Sequence, residues 1–101
     1  MSEIRFESNS KDIHSFSLYT ENKKVGEMMV RISPELLTVY HTIVDSDQQG
    51  KGFGKQLLSY MAAYARQHGL KVMPLCKYVR AQFQSHIQLY GDIWFRATMP
   101  A

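Results

Sequence analysis

The chain has 101 residues, a formal net charge of +3, 45% hydrophobic and 21% charged residues, a balance that excludes the disordered, fibrous and collagen-like classes. At this length a single domain over residues 1–101 is expected, so any active site must share residues with the one core. No apolar run nears the roughly 18 residues of a membrane span and residues 1–15 hold no signal-peptide stretch, so a cytoplasmic protein with no membrane partner is expected; the lone Cys76 excludes an internal disulfide, and His14, His41, His68 and His86 show no metal-ligand spacing, so no metal is expected.

In chain order, residues 3–8 alternate in polarity and predict a strand, followed by a polar turn at Asn9-Ser10-Lys11-Asp12. A second strand is expected over about 14–20 with Phe16, Leu18 and Tyr19, and a turn at Glu21-Asn22-Lys23-Lys24 leads to a third near 24–32 with Val25, Met28, Met29, Val30 and Ile32. Ser33-Pro34-Glu35 breaks that strand. Residues 36–44 favour β structure almost throughout, as a central strand covered on both faces does. Strict alternation along it puts His41 on one face with Leu37, Val39 and Ile43. These four strands make an antiparallel meander.

Next comes Gln49-Gly50-Lys51-Gly52-Phe53-Gly54-Lys55. Glycines let a backbone turn its N–H groups inward, the start of a following helix adds the positive end of its dipole, and lysines add charge, so the segment reads as an anion cradle. It lacks the Gly-Lys-Ser/Thr ending of a Walker A loop and the G-x-G-x-x-G spacing of a dinucleotide fingerprint. Leu57, Leu58, Met61, Ala62 and Ala65 recur at helical spacing and predict a helix over about 53–67, ended by His68-Gly69. A strand over 71–76, interrupted by Pro74, would close a right-handed strand–helix–strand crossover with parallel pairing. Val79, Phe83 and Ile87 predict a second helix over about 77–88, and Ile93-Trp94-Phe95-Arg96 a final strand. The fold class is α+β.

Charge is unevenly divided. Residues 51–101 carry Lys51, Lys55, Arg66, Lys71, Lys77, Arg80 and Arg96 against Asp92 alone, whereas the first fifty residues are acidic in balance. A polyanionic ligand explains this asymmetry. A solvated surface accounts for some of it, Arg66 and Lys71 among them; nucleic acid would also explain it, but the basic residues are spread and no RNA-binding or zinc-finger signature occurs, so it is not expected.

The Q-x-x-G-x-G pattern of Gln49, Gly52 and Gly54 resembles the acyl-CoA pyrophosphate loop of the GNAT N-acetyltransferase superfamily. Tyr40-His41-Thr42 before it, and the Pro-x-Cys-x-Tyr segment at Pro74, Cys76 and Tyr78 after it, are similar to the minimal stand-alone members of that superfamily, and the likeness covers nearly the whole chain. The resemblance implies a GNAT-like mixed sheet: the antiparallel meander, a β-α-β crossover with the acyl-CoA loop, a second helix and a C-terminal strand. It also implies an acetyl-CoA-dependent N-acetyltransferase, acting as a monomer or weak dimer on an amine acceptor such as a polypeptide lysine, a polyamine or a small amine. The alternative is a CoA or acyl-CoA binding module without catalysis. One departure is that the helices that usually wall the acceptor site have no room between residues 9 and 14, so the acceptor side should be open.

The resemblance places pantetheine between the strand ending at Val44 and the strand at 72–75, with the backbone N–H near Val44 polarising the carbonyl. Gln49, Gly50, Lys51, Gly52, Phe53, Gly54 and Lys55 then supply backbone donors to the phosphates, with charge from the two lysines. His41 is a base, since imidazole exchanges protons near neutrality, or else a buried core histidine. Cys76, at a helix start beside Lys77 and Arg80, is an acyl-accepting nucleophile, a leaving-group acid or a wall of the pantetheine channel. Tyr78 is a second possible acid or a packing residue, and Arg80 a phosphate ligand or an exposed helix charge.

Overall fold

A computed structural model describes residues 2–95. Five strands, β1 (Ser2–Ser8), β2 (Ile13–Thr20), β3 (Lys23–Ile32), β4 (Leu36–Val44) and β5 (Lys71–Pro74), form one sheet in chain order. The first three pairings are antiparallel, and β4 pairs with β5 in parallel. The meander and the crossover thus stand as the alternation and the intervening helix predict.

Helix α1 (Phe53–Gln67) carries the crossover and touches β2, β3, β4 and β5. Its apolar stripe of Leu57, Leu58, Met61, Ala62 and Ala65 is buried against Phe16, Leu18, Met28, Val30, Leu37 and Val39. Fully burying one such aliphatic side chain is worth about 1.5–3 kcal/mol, so this two-layer contact is the main source of stability. The opposite sheet face over β1–β3 bears Glu3, Arg5, Glu7 and Glu27 and has no helix upon it among the described residues.

Three expectations need correction towards the C-terminus. The second helix, α2 (Lys77–Ser85), stops short because His86 leaves helical dihedrals (φ −128°, ψ 51°), and a separate short helix, α3 (Ile87–Tyr90), follows. Val79 and Phe83 are buried as the spacing predicts, but the break turns Ile87 out to 43% exposure. The expected final strand is a single parallel bridge of Trp94 to Val72; Arg96, which that expectation included, lies outside the described residues. The last correction is that β5 ends at Pro74, since both Leu75 and Cys76 turn their N–H groups onto the Val39 carbonyl at 3.0 Å.

Candidate functional site

The parallel pairing of β4 with β5 lasts only from Leu36↔Lys71 to Val39↔Pro74. Beyond it β4 runs on for five residues while β5 has ended, and a cleft opens between them. A β-bulge sits at its start: Val30 faces Val39 and Met29 faces His41, so Tyr40 is the extra residue. The bulge reverses the alternation. Thr42 and Val44, opposite Met28 and Gly26, now face the α1 side, and His41 and Ile43 face away from it. His41 is therefore exposed, and it does not share a face with Leu37 and Val39 as strict alternation predicts. The same reversal orients the backbone. The Asp45 N–H donates to the Val25 carbonyl at 2.8 Å, so by strand alternation the N–H groups of Thr42 and Val44 point the other way, into the cleft.

A cavity of about 420 Å³ lies on the α1 side of this cleft. One end is the glycine loop. Gly50 and Gly52 have φ of +83° and +78°, left-handed values that a Cβ disfavours, and Gly52 is the N-cap of α1 with no side chain bonding the first N–H groups. Those orphan donors and the helix dipole face the cavity, so the residues present fit a phosphate group. The Gln49 amide donates to the Val44 carbonyl at 2.8 Å, clipping the loop to the end of β4. A 3₁₀ turn over Ser46–Gln48, which has no sequence signature, completes the connection.

Val44, Gln49, Gly50, Gly52, Phe53, Gly54, Lys55 and Tyr78 line this cavity. Lys51 does not; its ammonium donates to the Gln48 side chain at 2.9 Å. Nor does Arg80, whose guanidinium donates to the Pro74 carbonyl at 3.4 Å. Cys76 is only 6% exposed and stands behind Thr42, with its Sγ 3.5 Å from the Thr42 hydroxyl. The Tyr78 ring closes over Gly54, where a Cβ would lie 3.3 Å from its hydroxyl, and burial pushes its phenol up from its ordinary value, so the proton stays on through neutral pH. Sequence reasoning missed three lining residues: Thr42, Gln48 and Gln82. Small polar side chains carry no signature of their own, and only the bulge reveals that Thr42 faces inward.

Residues 15–93 match the family model described as GCN5-related N-acetyl-transferase. The chain belongs to this GNAT family. Among solved structures it is similar to the ribosomal-protein-S18-alanine N-acetyltransferase of Escherichia coli, at a TM-score of 0.70 and 17% identity over 98% of this chain and 80% of that one. A GNAT family acetyltransferase from Elizabethkingia anophelis with acetyl-CoA bound superposes at 0.65 and 15% identity, covering 97% of this chain and 78% of that one. An aminoglycoside acetyltransferase from an uncultured soil metagenomic sample, in complex with sisomicin, superposes at 0.62 and 19% identity, covering 92% of this chain; the present chain spans 66% of that one. No curated protein sequence matches. At these identities the structural likeness speaks for the GNAT fold, and the family match makes this GNAT chain an acyltransferase. Among the described residues no cluster of three or more His, Cys, Asp or Glu side chains could hold a metal ion.

Proposed function

We propose that this GNAT enzyme moves an acetyl group from acetyl-CoA to an amine borne on a polypeptide or a polyamine. The observation that carries the reading is the cleft, which has an anion cradle at one end, inward backbone N–H groups along β4, and an open sheet face on its far side. Acetyl-CoA supplies the acetyl group as a thioester and leaves as the free thiol. The cradle donors of Gly50–Lys55 hold its phosphates, and the N–H groups of Thr42 and Val44 stand ready for the carbonyl oxygen. His41, one strand's thickness from the cavity on the open face, takes the proton that the amine loses as its nitrogen bonds to carbon. Tyr78 keeps a proton at its phenol on the cavity wall for the departing sulfur. Cys76 is buried, contacts the Thr42 hydroxyl and does not line the cavity, which supports a packing role for the thiol and direct attack by the amine.

Labelled acetyl-CoA incubated with basic peptides, polyamines and small amines tests this. Because His41 is exposed, His41→Ala should melt as the wild type does and lower turnover by about 10²–10⁴-fold. Intact-mass analysis after rapid quench should show no acetyl adduct on Cys76. If no acceptor is acetylated while CoA still binds, the amine reading fails.

A further inference from the structure

Strand β1 ends the sheet, and no strand pairs with its outer side among the described residues. The register shows which of its backbone groups are left over. The Asn9 N–H donates to the Ile13 carbonyl and, one strand further in, the Ile32 N–H donates to the Asp12 carbonyl, so the odd-numbered residues of β1 turn their N–H and C=O groups to β2. Those of Ile4, Phe6 and Ser8 therefore point outward, as an open row of donors and acceptors. Nothing blunts that row, since β1 holds neither proline nor lysine and pairs with β2 without a bulge. The side chains along the edge are sorted by face. On the α1 side Phe6 is 41% exposed, although it stacks on Tyr64 at 5.5 Å and on His14 at 4.9 Å. On the open side stand Glu3, Arg5 and Glu7, alternating in sign. Arg5 donates to Glu3, and Glu7 accepts from the Tyr19 hydroxyl, yet the Arg5 and Glu7 side chains remain 40% and 36% exposed.

We propose that β1 pairs antiparallel with β1 of a second copy of this chain, about a two-fold axis at Phe6, joining two five-stranded sheets into one. Charge selects the register. Aligning the two strands about Arg5 sets Arg5 against the partner's Arg5 and Glu3 against the partner's Glu7, and like charges directly opposite repel. Moving the axis to Phe6 sets Arg5 against the partner's Glu7, and Glu7 against the partner's Arg5, on the open side. On the α1 side it sets the two exposed Phe6 rings against each other. Phe6 and its counterpart then exchange N–H and C=O groups as a hydrogen-bonded pair, and Ile4 does the same with Ser8, which uses the outward groups that β1 has to offer. An axis at Ile4 would also oppose Glu3 and Arg5, but it leaves Phe6 against Ser2, with less apolar surface to cover.

Sedimentation equilibrium over a concentration series tests the wild type, Arg5→Glu, Glu7→Lys and an equimolar mixture of the two variants. The expected wild-type result is a monomer–dimer equilibrium with a Kd between about 10 µM and 1 mM. Each variant alone should associate about tenfold more weakly or worse, because both cross-strand pairs become like-charged. The mixture should recover the dimer, because both pairs between unlike variants are again of opposite sign, and a mere defect in folding would not be repaired by mixing. A wild type that stays monomeric at about 1 mM overturns the proposal. So does either variant that dimerises as tightly as the wild type, since the interface then lies elsewhere or in another register, and so does a mixture that associates no better than its components. Should loss of the Tyr19 bond unfold Glu7→Lys, the wild-type series and Arg5→Glu still decide.

Discussion

Gly52 and Gly54 stand two residues apart and are glycine for different reasons. Gly52 holds a left-handed backbone at the N-cap of α1 with open space around it, whereas Gly54 is helical and its Cβ position lies 3.3 Å from the Tyr78 hydroxyl, a tight contact. Substitutions should separate the two. Gly52→Val forces a β-branched residue to positive φ, a strain of about 1–3 kcal/mol, so both melting temperature and CoA affinity should fall. Gly54→Ala gains up to about 1 kcal/mol of helix propensity yet displaces Tyr78 by a few tenths of an ångström, so it should melt no lower than the wild type while binding CoA more weakly. Thermal melts paired with calorimetric titration check both, and a folded Gly52→Val with wild-type affinity would remove the cradle assignment. The period-two glycines are plain in the sequence, but their division of labour is not, because the approach of Tyr78 is a tertiary contact between segments more than twenty positions apart.

At the scale of elements, the glycine loop and the first turn of α1 present one lysine each to solvent, of which only Lys55 borders the cavity. The Lys51 ammonium is directed to the Gln48 side chain instead. Lys55→Ala should therefore weaken CoA binding more than Lys51→Ala, and raising the salt concentration should narrow the difference as the wild-type attraction becomes screened. Equal losses in titrations at low salt would contradict this placement. The meander and α1 were legible because alternation and a 3.6-residue period are strong signals over long segments, and the turn before α1 because its glycines are period-two and closely spaced. The bulge at Tyr40 was not, since Val39, Tyr40 and His41 read as uninterrupted strand and nothing in side-chain chemistry marks which residue is the extra one. That single insertion decides that Thr42 rather than His41 lines the cavity. The break at His86 escaped for a similar reason: Val79, Phe83 and Ile87 keep helical spacing across it.

Across the whole molecule, the C-terminal segment is latched to the crossover. The Arg66 guanidinium donates to both Asp92 carboxylate oxygens, at 3.0 and 3.1 Å, and to the Leu89 carbonyl, while Lys71 donates to the Asp92 carbonyl. The hydrogen bonds from Arg66 hold the Asp92 carboxyl below its ordinary value. A carboxyl depressed in the folded state stabilises above its ordinary pKa of about 4, and that contribution is lost as pH falls through the folded value. The pair is exposed, so the effect is small, about 0–1 kcal/mol. Asp92→Asn should melt a few degrees below the wild type at neutral pH, and the gap should close in acid; a gap that persists at a pH of about 2 would assign the loss to something other than the ion pair.

The strand order has a consequence for how the chain assembles. Each strand of the sheet lies beside its neighbour in sequence, so the meander needs only short loops to close and can form as soon as β4 has been made. At that moment Phe16, Leu18, Met28 and Val30 face water, because their cover, α1, comes later in the chain. Any sheet that β1–β4 form before α1 is made thus has one bare apolar face and an unpaired β4 edge, the state in which sheets associate with one another. The stretch from Asp45 to Gly52 joins β4 to α1, so the loop proposed to cradle phosphate is also the hinge on which α1 closes over that face.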